Sequence, residues 1–450
     1  MGHPVSGTSE GRMGSGLLRI LGVSFGVAVI IGGTIGSGIL RGPGEVAALL
    51  GRPWLIIAVW AAVGVYALLG ANYLAELATA LPKAGGPYVY AQRAYGDFGG
   101  FVVGYSDWIV NTASLAYVPI AFGEYAVALV PSLAGREKAI AVAVIVVFTI
   151  LNWVGLRAGS GTQQLTSLVK TVGLLAFIVA CFAFGGQADT DASRFPPVAT
   201  PSSFAALLVA LGLSFRLVHG TYLGWNAPVY FAEEDTRPGR NLPRSLFGGV
   251  LIVMFIYVLI NVAYMYVLPL PQFAASKLPA ADAMQLIWGP RGGQVVTILA
   301  LLVLLSLINA VFMLTPRTIF ALGRDRLFSA HAVRVNVGGT PFVALGVTAV
   351  AAIILAAYGE FGTLFGVSAF FGVTNDVLLT TSLFVLRRRE PDLPRPYRAR
   401  GYPWLPLLFL LAGVALFVAF IASDPRHSLF SLAGLAASVP VYLFIKSRKK

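Results

Sequence analysis

The sequence predicts an all-α polytopic membrane protein with twelve transmembrane helices. Hydrophobic residues make up 57% of the 450 residues and charged residues only 11%, whereas a soluble domain carries about 25% charged residues. A spanning helix needs about 20 mostly apolar residues. The strands of a transmembrane β-barrel, by contrast, are alternating segments of about ten residues. The apolar stretches of suitable length are 18–49, 54–80, 98–130, 139–156, 162–185, 203–232, 245–268, 292–322, 341–357, 361–386, 403–422 and 428–445.

The distribution of charge predicts how these helices are oriented. Basic residues gather in the loops of one side, most densely at 387–389, and are sparse in the other loops. Because Lys and Arg concentrate in cytoplasmic loops, we expect a plasma (inner) membrane protein with both termini in the cytoplasm. These cytoplasmic basic residues account for the net charge of +13, so we expect no nucleic-acid partner. We expect residues 1–16 to be a disordered cytoplasmic tail, and 391–450 to hold the last two helices and a basic cytoplasmic tail.

Two of the twelve stretches are interrupted near their middles by glycine and polar residues. The first contains GGTIGSG at 32–38, and the sixth contains HGTYLGWN at 219–226. These stretches are the first and sixth in chain order, which makes them the first members of two five-helix halves, 17–185 and 186–390. Matched interruptions of this kind are typical of transporters built from inverted repeats. We therefore predict a 5+5 inverted repeat in which helices 1 and 6 are discontinuous.

The interruptions also predict a binding chemistry. A helix that restarts inside the membrane presents free N–H groups and a positive dipole end, which suit a carboxylate. Gly36, Ser37 and Gly38 stand at such a restart, whereas the half-helix ending near His219 and Gly220 presents carbonyl oxygens that suit an ammonium group. Together the two ends predict a clamp for an α-amino acid. The alternative is that the glycines only let helices pack closely.

At these residues the sequence resembles the amino acid–polyamine–organocation (APC) family of permeases. The resemblance implies a LeuT-type fold of ten helices in two inverted repeats with two peripheral helices, alternating access, and amino-acid or amine cargo. It rests on the motifs at 33–40 and 222–226, and further on 82–88, 233–234, 241–244, 317, 324–326, 386–389 and 391–393. The cargo-binding residues expected from the breaks and the resemblance are Thr34, Ile35, Gly36, Ser37, Gly38, Gly220, Tyr222, Gly224, Trp225 and Asn226.

The sequence departs from the family pattern at the second interruption. Family members often carry an aromatic gate where Gly220 stands and a glycine where Leu223 stands. We therefore expect a reshaped cavity, in which Tyr222 or Trp225 could replace the missing lid.

Lys170 lies inside the fifth apolar stretch. Ionisable residues at membrane depth are costly and mark function by default. In proton-coupled members of the family a lysine at this place occupies the position of a sodium ion, so the resemblance implies that Lys170 is the coupling group. The alternative is a lysine that extends along the helix to reach the interface.

Arg216 and His219 lie three residues apart on one helical face of the sixth stretch. Asp107, Glu124 and Asp376 are possible partners in other stretches. We expect Arg216, His219 or Asp107 to contact a cargo side chain or to carry a proton, since the pKa of histidine lies near physiological pH. For Arg216 the favoured interpretation is an internal Arg–Asp pair that braces two helices.

The sequence favours a secondary transporter over a membrane enzyme or a channel. It contains no phosphate-binding G-x-x-x-x-G-K-[ST] loop and no H-E-x-x-H motif, so we expect no cofactor and no metal. Proton symport is the favoured mechanism and exchange the alternative. Cys181 is the only cysteine, and its place in an apolar stretch predicts no disulfide-linked subunit. The charged segment at 233–244 is expected to be a solvated cytoplasmic loop that can join an inner gate.

Overall fold

The computed structural model describes residues 17–187, 195–423 and 425–447, so the predicted tail at 1–16 lies outside it. Within these ranges the chain is all-helical and forms no strand beyond a single bridge between Leu21 and Asp235. The helices are α1 Val23–Thr34, α2 Ser37–Leu50, α3 Pro53–Ala80, α4 Pro87–Leu129, α5 Glu137–Val154, α6 Leu156–Phe184, α7 Phe204–Tyr222, α8 Pro238–Val267, α9 Leu270–Ala275, α10 Pro279–Trp288, α11 Pro290–Arg324, α12 Phe342–Tyr358, α13 Phe361–Arg389, α14 Trp404–Ser423 and α15 Pro425–Ser447.

Ten of the spans in this part of the chain are long and apolar enough to cross a bilayer, and the bent pair α1–α2 makes an eleventh. These spans confirm the prediction of an all-α membrane protein with many helices. The span predicted at 341–357 contains α12, which has 17 residues and is shorter than the others. The short helices α9 and α10 lie between two spans and were not predicted.

The first span is broken as predicted. Helix α1 ends at Thr34, α2 begins at Ser37, and their axes are bent by 51°. The glycines permit close contact at this point: a Cβ on Gly38 would lie 2.5 Å from the Thr221 side chain of α7, and one on Gly36 would lie 2.5 Å from Leu307 of α11.

The sixth span is broken at its predicted place too. Helix α7 ends at Tyr222, and a 3-10 turn at Ala227–Phe231 follows. Between them Gly224 has φ +101°, where a side chain is strained, and a Cβ there would lie 2.4 Å from the Gly33 carbonyl oxygen. The two breaks therefore face each other at backbone distance, and only glycine fits between them.

Tyr257 of α8 joins the two breaks. Its hydroxyl oxygen lies 2.9 Å from the Thr34 carbonyl, at the end of α1, and 2.9 Å from the Thr221 carbonyl, at the end of α7. The last carbonyls of a helix have no partner within it, so one hydroxyl serves both ends and fixes their spacing.

Removing this hydroxyl by Tyr257→Phe should lower thermal stability in detergent and slow transport. Two buried carbonyls would lose their shared donor, at a cost of about 1–3 kcal/mol. Tyr264→Phe is the matched control, because its hydroxyl, on the same helix, lies 3.5 Å from its carbonyl partner Ile39. Equal loss of stability in the two variants would show that the bridge has no special role.

The loops at 81–86, 232–237, 325–341 and 390–403 form one surface, here called the basic face. Ala84 N–H donates to Glu233 at 2.9 Å, Arg324 bonds the Ala84 carbonyl, and Arg93 pairs with Glu390 at 2.8 Å. The expectation that the charged segment is solvated throughout is wrong for Glu234 and Asp235, whose exposed fractions are 0% and 5%. Glu234 pairs with Arg317 of α11, and Asp235 accepts from the Arg237 N–H and from the Asn241 amide at the start of α8.

Candidate functional site

A cavity of about 90 Å³ lies between the two breaks and is closed laterally by α4, α11 and α13. No Lys or Arg side chain of the described residues lines it, while two carboxylates, Asp107 and Asp376, do. The predicted residues that line it are Thr34, Gly36, Gly38, Gly220, Gly224, Trp225, Asn226 and Asp107.

The other predicted site residues lie around the cavity rather than in its wall. Ile35 is buried, and Tyr222 turns its hydroxyl to the Trp60 carbonyl at 3.2 Å. The Arg216 guanidinium lies over the Phe420 ring at 5.1 Å. The side chain of Ser37 is outside the described part of the structure.

The restart of α2 has the features that a carboxylate requires. Its N-cap is Gly36, which offers no side-chain cap to the first N–H groups of the helix, and those groups have no partner within the helix. Gly36 and Gly38 both line the cavity. Thr34 lines it as well, and its buried hydroxyl has no hydrogen-bond partner among the described residues.

The end of α7 has the opposite polarity. Gly220 and Thr221, in its last turn, line the cavity, and the carbonyl end of a helix carries partial negative charge. An ammonium group in the cavity would therefore meet the end of one helix and a carboxylate the start of another.

Lys170 of α6 lies against the first break. Its ammonium donates to the carbonyls of Gly32 at 3.1 Å and Ile35 at 2.6 Å, and lies 3.5 Å from that of Ile31. Its exposed fraction is 0%, so the side chain does not extend to the interface, contrary to the alternative interpretation. The amine of Lys170 thus caps the carbonyl end of α1.

The acidic residues expected as partners of Arg216 are bonded elsewhere. Asp107 accepts from Tyr230 at 2.5 Å and Thr318 at 2.9 Å. Asp376 lies 3.3 Å from His219 Nε2, and Glu124 pairs with Arg41 at 2.7 Å. The His219–Asp376 contact joins α7 to α13, and the Arg41–Glu124 pair joins α2 to α4.

A buried ion pair lies between the segment after α7 and α11, outside the residues that line the cavity. The carboxylate of Glu234 lies 3.1 Å from Arg317, and the side chains are 0% and 3% exposed. Arg317 also bonds the Met313 carbonyl and lies over the Phe231 ring. Burial raises the pKa of the Glu234 carboxyl, and the Arg317 guanidinium opposes this rise.

Aromatic side chains close the cavity on the side away from the basic face. A Cβ on Gly220 would lie 2.9 Å from the ring of Phe365, which packs edge-on against Tyr117. Beyond them the Arg41 guanidinium lies 5.5 Å from the centre of the Phe361 ring. The space left by Gly220 is therefore filled from α13 and not by Tyr222 or Trp225.

Sequence reasoning did not assign Phe365, Tyr117, Asn375 or Asp376 to the cavity wall. The available signal was the polar pair Asn375–Asp376 inside an apolar stretch, since such residues face protein interiors or cavities. Nothing in the local pattern distinguishes Phe365 from the other aromatic residues of α13.

A bundle of apolar helices that encloses a polar cavity between two broken helices defines a membrane carrier for a small polar solute. The sequence model of a family described as "Amino acid permease" matches residues 21–444. The chain therefore belongs to the amino acid permease family, as the APC resemblance predicted.

Individual relatives are transporters, and this chain is a transporter and not an enzyme. It is 27% identical to the "Serine/threonine exchanger SteT" of Bacillus subtilis (strain 168), over 97% of this chain and 98% of that protein. It is 29% identical to the "b(0,+)-type amino acid transporter 1" of Mus musculus, over 93% and 87%. It is 27% identical to the "Large neutral amino acids transporter small subunit 2" of Homo sapiens, over 98% and 84%.

Proposed function

We propose that this protein is a secondary active transporter that carries an amino acid or a closely related amine across the plasma (inner) membrane by alternating access. The observation that carries the proposal is the cavity between two facing helix breaks. We also propose the LeuT-type arrangement for it: twelve spans with 5+5 inverted halves, α12 included, and both termini in the cytoplasm.

In this account the cargo is held by its two charged ends. Its carboxylate lies at the N–H groups that begin α2, near Gly36 and Gly38. Its ammonium lies at the carbonyl end of α7, near Gly220. Thr34, Trp225 and Asn226 complete the wall. Backbone groups at helix ends recognise the part that all α-amino acids share, so the remaining wall residues select the side chain.

Alternating access follows from barriers on both sides of the cavity. Glu234–Arg317 closes the path to the basic face, and Phe365 with Tyr117 narrows the opposite path. One barrier must open while the other holds, so that cargo reaches the two aqueous phases in turn.

We propose proton symport with Lys170 as the coupling group. A protonated Lys170 donates to the carbonyls of Gly32 and Ile35. When the amine loses its proton it also loses its charge and one donor, and it holds the end of α1 less firmly. Proton binding therefore favours the arrangement in which the first break is ordered for cargo.

Exchange of one amino acid or amine for another is the second candidate. The observation that favours it is a relative named as an exchanger that matches over nearly the whole chain. For either mechanism we propose no disulfide-linked subunit, because Cys181 is 0% exposed inside α6.

The test is uptake of labelled amino acids and amines into liposomes that contain the purified protein. We expect saturable, stereospecific uptake. For an amino-acid cargo, the N-acetyl and the amide derivatives should compete at least about tenfold more weakly, since each removes one charge-assisted contact of about 1.5–3 kcal/mol. Flux that does not saturate and does not distinguish L from D forms would indicate a channel.

A further inference from the structure

The carboxylate of Asp376 stands in the cavity wall without a cationic side chain to balance it. Its partner is His219, whose Nε2 lies 3.3 Å from Asp376 Oδ2. The exposed fractions of these two side chains are 2% for His219 and 9% for Asp376. The Tyr66 hydroxyl also faces the Asp376 carboxylate. No Lys or Arg of the described residues lines the cavity.

The surroundings of His219 favour a neutral ring. Its second ring nitrogen, Nδ1, is buried and has no hydrogen-bond partner among the residues that the structure describes. A protonated imidazole carries N–H groups on both nitrogens, so a charged His219 would leave one buried N–H unbonded, which is costly. The neutral ring with its proton on Nε2 donates to Asp376 and avoids this cost. The His219–Asp376 pair then keeps one negative charge.

The other carboxylate in the wall has a different environment. Both oxygens of Asp107 accept hydroxyl hydrogen bonds, from Tyr230 and from Thr318. These bonds join α4 to the segment after α7 and to α11, so Asp107 fixes the packing of the wall. Asp376 has one longer contact, 3.3 Å to His219, and is therefore the wall carboxylate more available to a ligand.

We infer that Asp376, oriented by its hydrogen bond from His219, binds a second cationic group on the cargo, and that the preferred cargo is an amino acid with a cationic side chain. This inference rests on the proposed function. A buried carboxylate is costly unless it is paired with a cation. The two helix ends take the α-ammonium and the carboxylate of the cargo, and the charge at Asp376 then requires a further positive group.

The test compares lysine with norleucine, which has the same four-carbon side chain without the terminal amine. Labelled uptake of both is measured in liposomes that contain the wild-type protein. We expect the apparent affinity for lysine to exceed that for norleucine at least about tenfold, the value of one charge-assisted bond. Norleucine affinity equal to or above that of lysine would overturn the inference and leave the proposed function standing. If no amino acid is taken up by these liposomes, the result would count against the proposed function itself.

Substitutions then assign the preference to the residue. Asp376→Asn should lower the ratio of lysine to norleucine affinity at least about tenfold, whereas Asp376→Glu should retain most of it. Asp392→Asn, an exposed carboxylate of the basic face, is the matched control and should leave the ratio unchanged. A ratio that survives in Asp376→Asn would show that another group selects the cation.

If Asp376→Asn fails to fold, the role of the carboxylate can still be tested with a second variant. His219→Gln deletes the imidazole and leaves the carboxylate in place, so lysine preference should persist in it. A preference that persists in His219→Gln and is lost in Asp376→Asn would assign it to the carboxylate, whereas a preference that is lost in neither variant would overturn the inference.

Discussion

Lys170→Ala should abolish accumulation of cargo against its gradient while cargo binding remains. The substitution removes a fully buried ammonium and its bonds to the carbonyls of Gly32 and Ile35, so the proton no longer biases the first break. The measurement is uptake into liposomes under an inward proton gradient, beside binding measured by ligand-dependent thermal stability.

Two further variants separate coupling from structure. Lys170→Gln keeps a hydrogen-bond donor but cannot titrate, and it should fail in the same way while folding normally. Lys83→Ala is the control, because Lys83 is exposed on the basic face. This variant should accumulate cargo like the wild type. Gradient-driven accumulation that survives in Lys170→Ala would remove Lys170 from the mechanism.

Arg317→Ala should cause the largest loss of stability of any substitution considered. It leaves the Glu234 carboxylate, 0% exposed, without its cation. Breaking a buried pair by removing one partner costs about 3–5 kcal/mol. We expect a marked fall in the unfolding temperature in detergent, together with impaired transport because the barrier on the side of the basic face no longer closes.

The matched control is Arg324, whose partner Glu233 directly precedes Glu234 in the charged segment. Arg324 pairs with Glu233 at 2.9 Å, but these side chains are 31% and 35% exposed, and exposed pairs contribute about 0–1 kcal/mol. Arg324→Ala should therefore change stability little. The double variant Arg317→Ala with Glu234→Gln should regain part of the lost stability, because no stranded charge remains. If the double variant is no more stable than Arg317→Ala, then Arg317 stabilises the fold only through its contacts with Met313 and Phe231.

The sequence predicted those features of the fold and site that depend on local composition. Long apolar stretches located the spans, and glycine with polar residues at 32–38 and 219–226 located the two breaks. Lys170 was found because a lysine inside an apolar stretch is rare. Each of these signals lies within one stretch of chain, so a single sequence displays it.

Features that depend on packing between distant stretches were not predicted. Phe365 fills the space at Gly220 from another helix, and Glu234 is buried because Arg317 lies beside it, 83 residues away. The charged segment appeared solvated since nothing in its own composition reveals a partner. In the same way His219 was grouped with Arg216 by helical spacing, whereas its neighbour in space is Asp376.

The central claim is that a proton gradient drives cargo through the cavity between the two breaks. The most direct measurement is uptake of labelled amino acids and amines into empty liposomes, with and without an inward proton gradient, beside liposomes preloaded with unlabelled cargo. Saturable uptake into empty liposomes that rises with the gradient is the predicted result. Uptake that appears only after preloading and ignores the gradient would contradict proton coupling and establish exchange.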